Sequence, residues 1–282
     1  MHYTCGRVIE SRRSVAFQGE HGAYSEQAAF TYFGTDTEAK PHRNLHEVFE
    51  AVEHGVAEFG IVPAENSLEG SINRTFDLLL GAALKIGGEV KIRIRHCLLA
   101  LLGTRLDDLV TVYSHPQALA QCASFLDTLH AEAVPTYDTA GSAKMIKDRQ
   151  MRNAAAIASE YSAEVYGLAI LKTHIEDLPD NFTRFFIIGS EDAPATGNDK
   201  TSIVFGTKHV PGSLQSALQE LAVRQINLTK IESRPIRTTP WEYYFFVDFE
   251  GHHSNPTIKD ALEGLKSSTT FLKVLGSYPR AA

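Results

Sequence analysis

Short apolar runs alternate with amphipathic segments along the first two thirds of the chain, the rhythm of an α/β domain. The runs predict strands over residues 14–18, 58–62, 90–101, 109–113, 133–137, 154–158 and 185–188. Between them, apolar positions at helical spacing predict helices over 25–33, 45–53, 72–80, 116–129, 139–147 and 160–166. The run over 89–102 is long enough to cross from one lobe to another, which permits a two-lobed domain with a cleft. Residues 189–199 are rich in Ser, Ala, Pro, Gly and Asn/Asp and carry no apolar period, so they predict a linker. Beyond them the pattern is βαββαβ. A strand over 201–206 leads through Pro211-Gly212 to a helix with Leu214, Ala217, Leu218, Leu221 and Ala222 on one side. Strands over 228–234 and 241–249 follow, separated by Thr238-Thr239-Pro240. In the second, Tyr244, Phe246, Asp248 and Glu250 share one face and Tyr243, Phe245, Val247 and Phe249 the other. A helix with Ile258, Ala261, Leu262 and Leu265 inward and a strand over 271–277 close a ferredoxin-like split βαβ unit, expected to be a regulatory or pairing module. The expected division is a domain over 1–190, its second lobe spanning roughly 90–175, a linker over 191–199 and a tail domain over 200–282.

Composition agrees with two domains: 282 residues, 43% hydrophobic and 22% charged, are ordinary globular values. The net charge of −7 divides into −10 before Lys200 and +3 from there on. Neither part has the dense basic face that a phosphate backbone requires, so nucleic acid is not expected as a partner. Cys5, Cys97 and Cys122 form no C-x-x-C pair and are expected to be free thiols in a reducing cytosol. Residues 1–14 mix Arg7, Arg12 and Arg13 with Glu10 and have no apolar h-region, so no secretory signal is expected. The apolar runs 78–84 and 97–102 fall far short of the roughly 18 residues a membrane helix needs. A soluble, cytoplasmic protein is the expectation.

Four polar clusters interrupt the pattern where strands end and helices begin. Gly19-Glu20-His21-Gly22-Ala23-Tyr24-Ser25 is a turn whose following helix offers free N–H groups to an anion, or simply a tight turn. In Pro63-Ala64-Glu65-Asn66-Ser67-Leu68-Glu69-Gly70, Asn66 and Ser67 line a site or cap a helix. In Ser114-His115-Pro116-Gln117, Ser114 reads as an N-cap and Pro116 as a first-turn residue, while Gln121 shares a face with Gln117. Asn181-Phe182-Thr183-Arg184-Phe185 opens an apolar strand, where a Thr is either structural or a hydroxyl donor. His42 and His46 have i, i+4 spacing but no third ligand, so a solvated helix face is the reading, and no G-x-S-x-G or P-loop occurs. Neither a metal nor another cofactor is expected.

At these clusters the sequence resembles the prephenate dehydratases. Gly22-Ala23-Tyr24-Ser25-Glu26, Pro63-Ala64-Glu65-Asn66-Ser67 with Gly70, Ser114-His115-Pro116-Gln117-Ala118 and Asn181-Phe182-Thr183-Arg184-Phe185 stand in that family's order. Pro211-Gly212 and Glu232-Ser233-Arg234-Pro235 resemble its C-terminal ACT domain, with Gly212-Ser213-Leu214-Gln215 departing from the usual Gly-Ala-Leu. No chorismate mutase helix precedes the first strand, so a monofunctional enzyme is expected. The resemblance implies two lobes like those of a periplasmic binding protein, with the active site between them. It implies conversion of prephenate to phenylpyruvate, carbon dioxide and water, with Thr183 assisting the leaving hydroxyl and Asn66, Ser67, Ser114 and Gln121 as catalytic neutral donors. Ala23, Tyr24, Ser25, Glu65, His115, Gln117, Arg184 and Phe185 would surround the substrate, Glu65 organising the site and Arg184 attracting the dianion. L-Phenylalanine would inhibit from the tail, held by Pro211, Gly212, Ser213, Leu214, Glu232, Ser233, Arg234 and Pro235 between paired copies of a homodimer or homotetramer. Two rivals remain: a solute-binding protein without catalysis, and an arogenate dehydratase.

Overall fold

The computed structural model describes residues 12–236, 239 and 241–281. Residues 1–11 with Cys5, and the Thr238 and Pro240 expected between two tail strands, lie outside the described residues. The first lobe contains β1 (Ser14–Gln18), α1 (Tyr24–Phe33), β2 (Glu38–His42), α2 (Leu45–Glu53), β3 (Phe59–Asn66), the short β4 (Gly70–Ser71), α3 (Asn73–Gly81) and β5 (Lys85–Arg93). The chain then crosses to β6 (Cys97–Ala100), β7 (Thr111–Ser114), α4 (Pro116–Gln121), α5 (Ala123–Leu126), β8 (Glu132–Pro135), α6 (Thr139–Arg149), β9 (Ala154–Ala158), α7 (Glu160–Tyr166) and β10 (Ala169–Lys172). It returns as β11 (Phe182–Gly189), which lies between β3 and β5 in the first sheet, order β2-β1-β3-β11-β5. The second sheet has the order β10-β6-β9-β7-β8. Two crossings, through Ile94 to His96 and again before β11, therefore join the lobes and leave a cleft between them.

Several predicted elements are redrawn. The expected strand over 90–101 is two strands in different sheets, because the chain changes lobes in its middle. The expected helix over 116–129 breaks at Cys122, whose φ and ψ of −118° and 21° end α4. Edge strand β2 carries no sustained apolar run, since an edge is half solvated, and it contains Pro41, which an edge tolerates; edge strand β10 carries the run Ala169-Ile170-Leu171 but is only 4 residues long. Central β9, by contrast, is Ala-Ala-Ala-Ile-Ala and buried throughout: small side chains let both faces be covered closely. His42 and His46 do not share a helix; His42 ends β2, and His46 on α2 lies 3.7 Å from Glu50.

The tail runs β12 (Asp199–Gly206), α8 (Ser213–Ala222), β13 (Leu228–Pro235), β14 (Tyr243–Glu250), α9 (Pro256–Ser268) and β15 (Phe271–Pro279), an antiparallel sheet of order β13-β14-β12-β15. This is the expected split βαβ arrangement. The period of two divides its core: Ile203, Phe205, Val247 and Phe249 pack under α8 and α9. On the other face Val204, Phe246, Leu275 and Tyr278 join Phe76, Leu79, Ile86 and Phe186 of the first lobe in one continuous core. Gly276 allows the closest approach, since a Cβ there would lie 2.2 Å from the carbonyl oxygen of Ile86.

Candidate active site in the cleft between the lobes

Polar side chains on β3 and β11 meet where the lobes face each other. Thr183 pairs across the ladder with Asn66 and with Ile92. Asn66 Nδ2 donates to Thr183 Oγ1 at 3.0 Å and to Asn181 Oδ1 at 2.7 Å. Because Thr183 accepts that bond, its own proton is free, and it has no acceptor among the described residues. Asn66 Oδ1 in turn accepts from the N–H groups of Leu68 and Glu69, which locks the amide orientation. Asn66 therefore caps no helix; Ile72 precedes α3 without a side-chain cap.

The network continues into the second lobe. Asn181 Nδ2 donates to Gln121 Oε1 at 3.0 Å, and Gln121 Nε2 donates to Glu69. His96 Nε2 also lies 3.0 Å from Gln121 Oε1, an atom that only accepts, so the imidazole carries its proton on Nε2. Burial lowers the pKa of His96 more than the Gln121 bond raises it, so the ring is held neutral. A cavity of about 210 Å³ is lined by Tyr24, Ser25, Asn66, His96, His115, Gln117, Gln121, Asp138, Thr139, Thr183 and Phe185. It adjoins a wider one of about 830 Å³, where Ala23, Glu20, His42, Arg43 and Tyr137 join the shared Tyr24, Ser25, His115, Asp138 and Thr139.

Two features make this cleft suitable for an anion. No side chain caps α1, so the N–H groups of its first turn stay available at the cleft. Arg43 is an exposed cation on the cleft wall, which the sequence reading passed over because nothing in its neighbourhood looks like a motif. Burial raises the pKa of Asp138 against the backbone bonds from Glu20 and Gly141 that lower it. Its Oδ2 accepts from Gly141 N as the cap of α6 and from Glu20 N of the first lobe. Asp138, Thr139 and His96 were also missed; each sits at an element end whose neighbour comes from the other lobe.

Other expected site residues lie elsewhere. Ser114 is not a cap and does not face the cavity: its hydroxyl donates to Ile157 O at 2.6 Å inside the second sheet, and His115 occupies the cap position. Ser67 donates to Asp180 O and accepts from Phe182 N, tying the end of β3 to β11. Glu65 and Arg184 occupy the opposite face of their strands from Asn66 and Thr183 and point to the tail. Arg184 reaches Asp248 and Glu89 at 2.7 Å each, and Glu65 reaches Lys230 at 2.9 Å. An attraction between Arg184 and a substrate in the cleft is thereby corrected: a strand alternates its faces, and the neighbour of a cleft residue is a back-face residue. In the tail, Pro211, Gly212, Ser213 and Leu214 line a cavity of about 830 Å³ with Leu218, Gln219 and Phe245. Glu232 and Arg234 do not line it; they face the first lobe, accepting from Ser71 and pairing with Asp77 respectively, while Ser233 and Pro235 are exposed on the other face of β13.

The fold and cleft define an α/β enzyme with two lobes like those of a periplasmic binding protein, and with an appended βαββαβ domain whose four-stranded sheet packs on the first lobe. The chain belongs to the prephenate dehydratase family: the prephenate dehydratase model matches residues 15–193, and the ACT domain model matches residues 201–267. It is 48% identical to arogenate dehydratase/prephenate dehydratase 2 of Arabidopsis thaliana, over 95% of this chain and 73% of that protein. A crystal structure of prephenate dehydratase from Arthrobacter aurescens, in complex with L-Phe, superposes with a TM-score of 0.87 at 34% identity, covering 95% of this chain and 90% of that one. A structure described as a novel type of quorum-quenching acylase superposes equally well, with a TM-score of 0.87 at 35% identity over 96% of this chain and 98% of that one. No helix is long and apolar enough to cross a membrane among the described residues.

Proposed function

We propose that this enzyme decarboxylates and dehydrates prephenate, releasing phenylpyruvate, carbon dioxide and water. The C–C bond to the ring carboxylate breaks, its electron pair moves through the diene, and the ring C–O bond breaks as the ring becomes aromatic. The leaving oxygen takes up a proton and departs as water. The observation that carries this reading is the Thr183 hydroxyl: Asn66 fixes its oxygen, and its unspent proton borders the cavity. A preorganised donor at a departing oxygen is the economical aid for such a reaction. The first turn of α1 and Arg43 supply the attraction for carboxylates, while Gln121 and His96 complete the wall. The buried free thiols Cys97 and Cys122 suit a reducing compartment such as the cytoplasm.

L-Phenylalanine is proposed to inhibit from the tail. The cavity at Pro211 to Leu214 supports this, as does the complex with L-Phe in the Arthrobacter aurescens structure. Strand β13 is a sheet edge with Ile231 exposed, which favours pairing with a second copy into a homodimer or homotetramer. Steady-state kinetics on prephenate and arogenate test the substrate: the reading expects turnover of prephenate, and turnover of arogenate alone overturns it. Thr183→Ala is expected to lower kcat by about 100-fold or more, with KM changing less and the circular dichroism unchanged. Near-normal turnover in that variant removes Thr183 from the mechanism.

A further inference from the structure

On the face of β11 opposite the cleft, six charged side chains of balanced sign form one cluster across the boundary with the tail. Arg184, Lys200 and Lys230 meet Glu65, Glu89 and Asp248. The Arg184 side chain is only 10% exposed and Glu89 is fully buried. The guanidinium lies 2.7 Å from Asp248 and donates to Tyr278 Oη at 3.0 Å; both partners belong to the tail. Ser202 donates to the other oxygen of Asp248 and also bonds Tyr278, closing a rigid cradle. Burial opposes the charge on Arg184, but Asp248 and Glu89 more than offset it.

The backbone explains why such an anchor matters here. Thr183 pairs in register with Asn66 of β3 and Ile92 of β5, and the β3–β11 register then skips Ala64 between Arg184 and Phe185. A bulge on β3 disturbs the ladder just beyond Arg184, so the side chain of Arg184 supplies fixing contacts where that ladder is interrupted. Arg184 is covalently next to Thr183 and is held on three sides, by Glu89 of β5, by Asp248 of β14 and by the Phe186 ring at 4.6 Å.

We propose that Arg184 is a positioning residue for Thr183, and that the Asp248–Tyr278–Ser202 cradle of the tail sets the orientation of the catalytic hydroxyl from across the domain boundary. This rests on the reading of Thr183 as the donor. The tail is then part of the apparatus that aligns the hydroxyl, in addition to any effector it holds, and its contribution is to kcat because none of these groups touches the cavity.

The test uses the full-length chain with prephenate. Asp248→Asn, which keeps shape but removes the charge, is expected to lower kcat about 10-fold with KM within about twofold, and Arg184→Lys to do the same. In a Thr183→Ala background, Asp248→Asn is expected to leave the residual rate unchanged within about twofold, since the path runs through the missing hydroxyl. A folded Asp248→Asn enzyme with normal kcat overturns the proposal, as does an equal loss of rate in both backgrounds. An Arg184→Lys enzyme with raised KM and normal kcat also overturns it, in favour of a substrate contact. If Asp248→Asn does not fold, Tyr278→Phe, which deletes a single oxygen, is judged by the same two criteria. Thr183→Ala alone, if it turns over normally, overturns the donor reading whatever the Asp248 variant does, so the two failures are distinguishable.

Discussion

Between Thr183 and Arg184 the chain passes from the cleft to the tail interface, and nearly every functional assignment on β11 follows from that alternation. Asn66 is the residue on which the cleft network turns, with its amide nitrogen shared between Thr183 and Asn181. Asn66→Ala is expected to free the Thr183 rotor and lower kcat by about 10- to 100-fold, measurable by steady-state kinetics on prephenate. His96 makes a separate, pH-dependent contribution. Burial holds its pKa below the ordinary 6.5, so in the unfolded chain it takes up a proton at a pH where the native chain still resists it. Stability is therefore full above about 6.5 and falls as pH drops through that value toward the depressed native pKa. Urea unfolding at about pH 8 and about pH 5 is expected to show a smaller difference in His96→Asn than in the parent chain.

Among the elements, the loop after β1 decides how the lobes stand. It leaves the first lobe yet is bonded by the second: Gly22 O accepts from Ser159 and Ser162, His21 O from Tyr166, and Glu20 meets Lys144 and Tyr137. Its shape is held by buried Glu26, which takes Gly22 N and His21 Nδ1 at 2.6 Å. Gly22 has a φ of 89° and lies so close to α7 that a Cβ would stand 3.0 Å from the Cα of Ser162. Strand β15 makes a comparable approach to β5 at Gly276. Gly276→Val is expected to destabilise the chain by at least about 2 kcal/mol, because the collision is with backbone that no rotamer relieves; the urea midpoint checks it.

At the level of the whole molecule, the tail shares a core with the first lobe rather than hanging from a linker. Removing it after Asp199 uncovers Phe186, Ile86 and Phe76 and strips Arg184 and Glu89 of tail partners. Such a truncated chain is expected to be poorly soluble and to melt well below the intact protein in a calorimetric scan. Effector binding is better tested in the intact chain. Gly212 has a φ of 84° with open space around its Cβ position, so Gly212→Val strains the turn at the tail cavity without a steric clash. Calorimetry is expected to show phenylalanine binding sharply weakened, with kcat in the absence of phenylalanine unchanged.

The amino-acid pattern alone carried the α/β rhythm, the βαββαβ tail and the four motif clusters. These depend on local periodicity and on residue types at element ends, which are properties of short windows. The edge strand β2 was not legible because a half-solvated strand imposes no apolar alternation, and β10 because its 4 residues are too short a window to tell a strand from the end of a helix. The site was legible where its residues sit in motifs, as at Asn66, Gln121 and Thr183, and illegible at His96, Arg43 and Asp138, whose meaning comes from the lobe opposite. Arg184 marks the boundary between the two kinds of knowledge. Its motif was readable, but which side of β11 faces the cleft is set by pairing with β3 and β5, and the tail sheet that covers the other side brings Asp248 from 64 residues further along the chain. Only tertiary structure could turn that arginine from a substrate contact into an anchor, because burial and charge pairing are properties of the assembled surfaces and not of the strand that carries them.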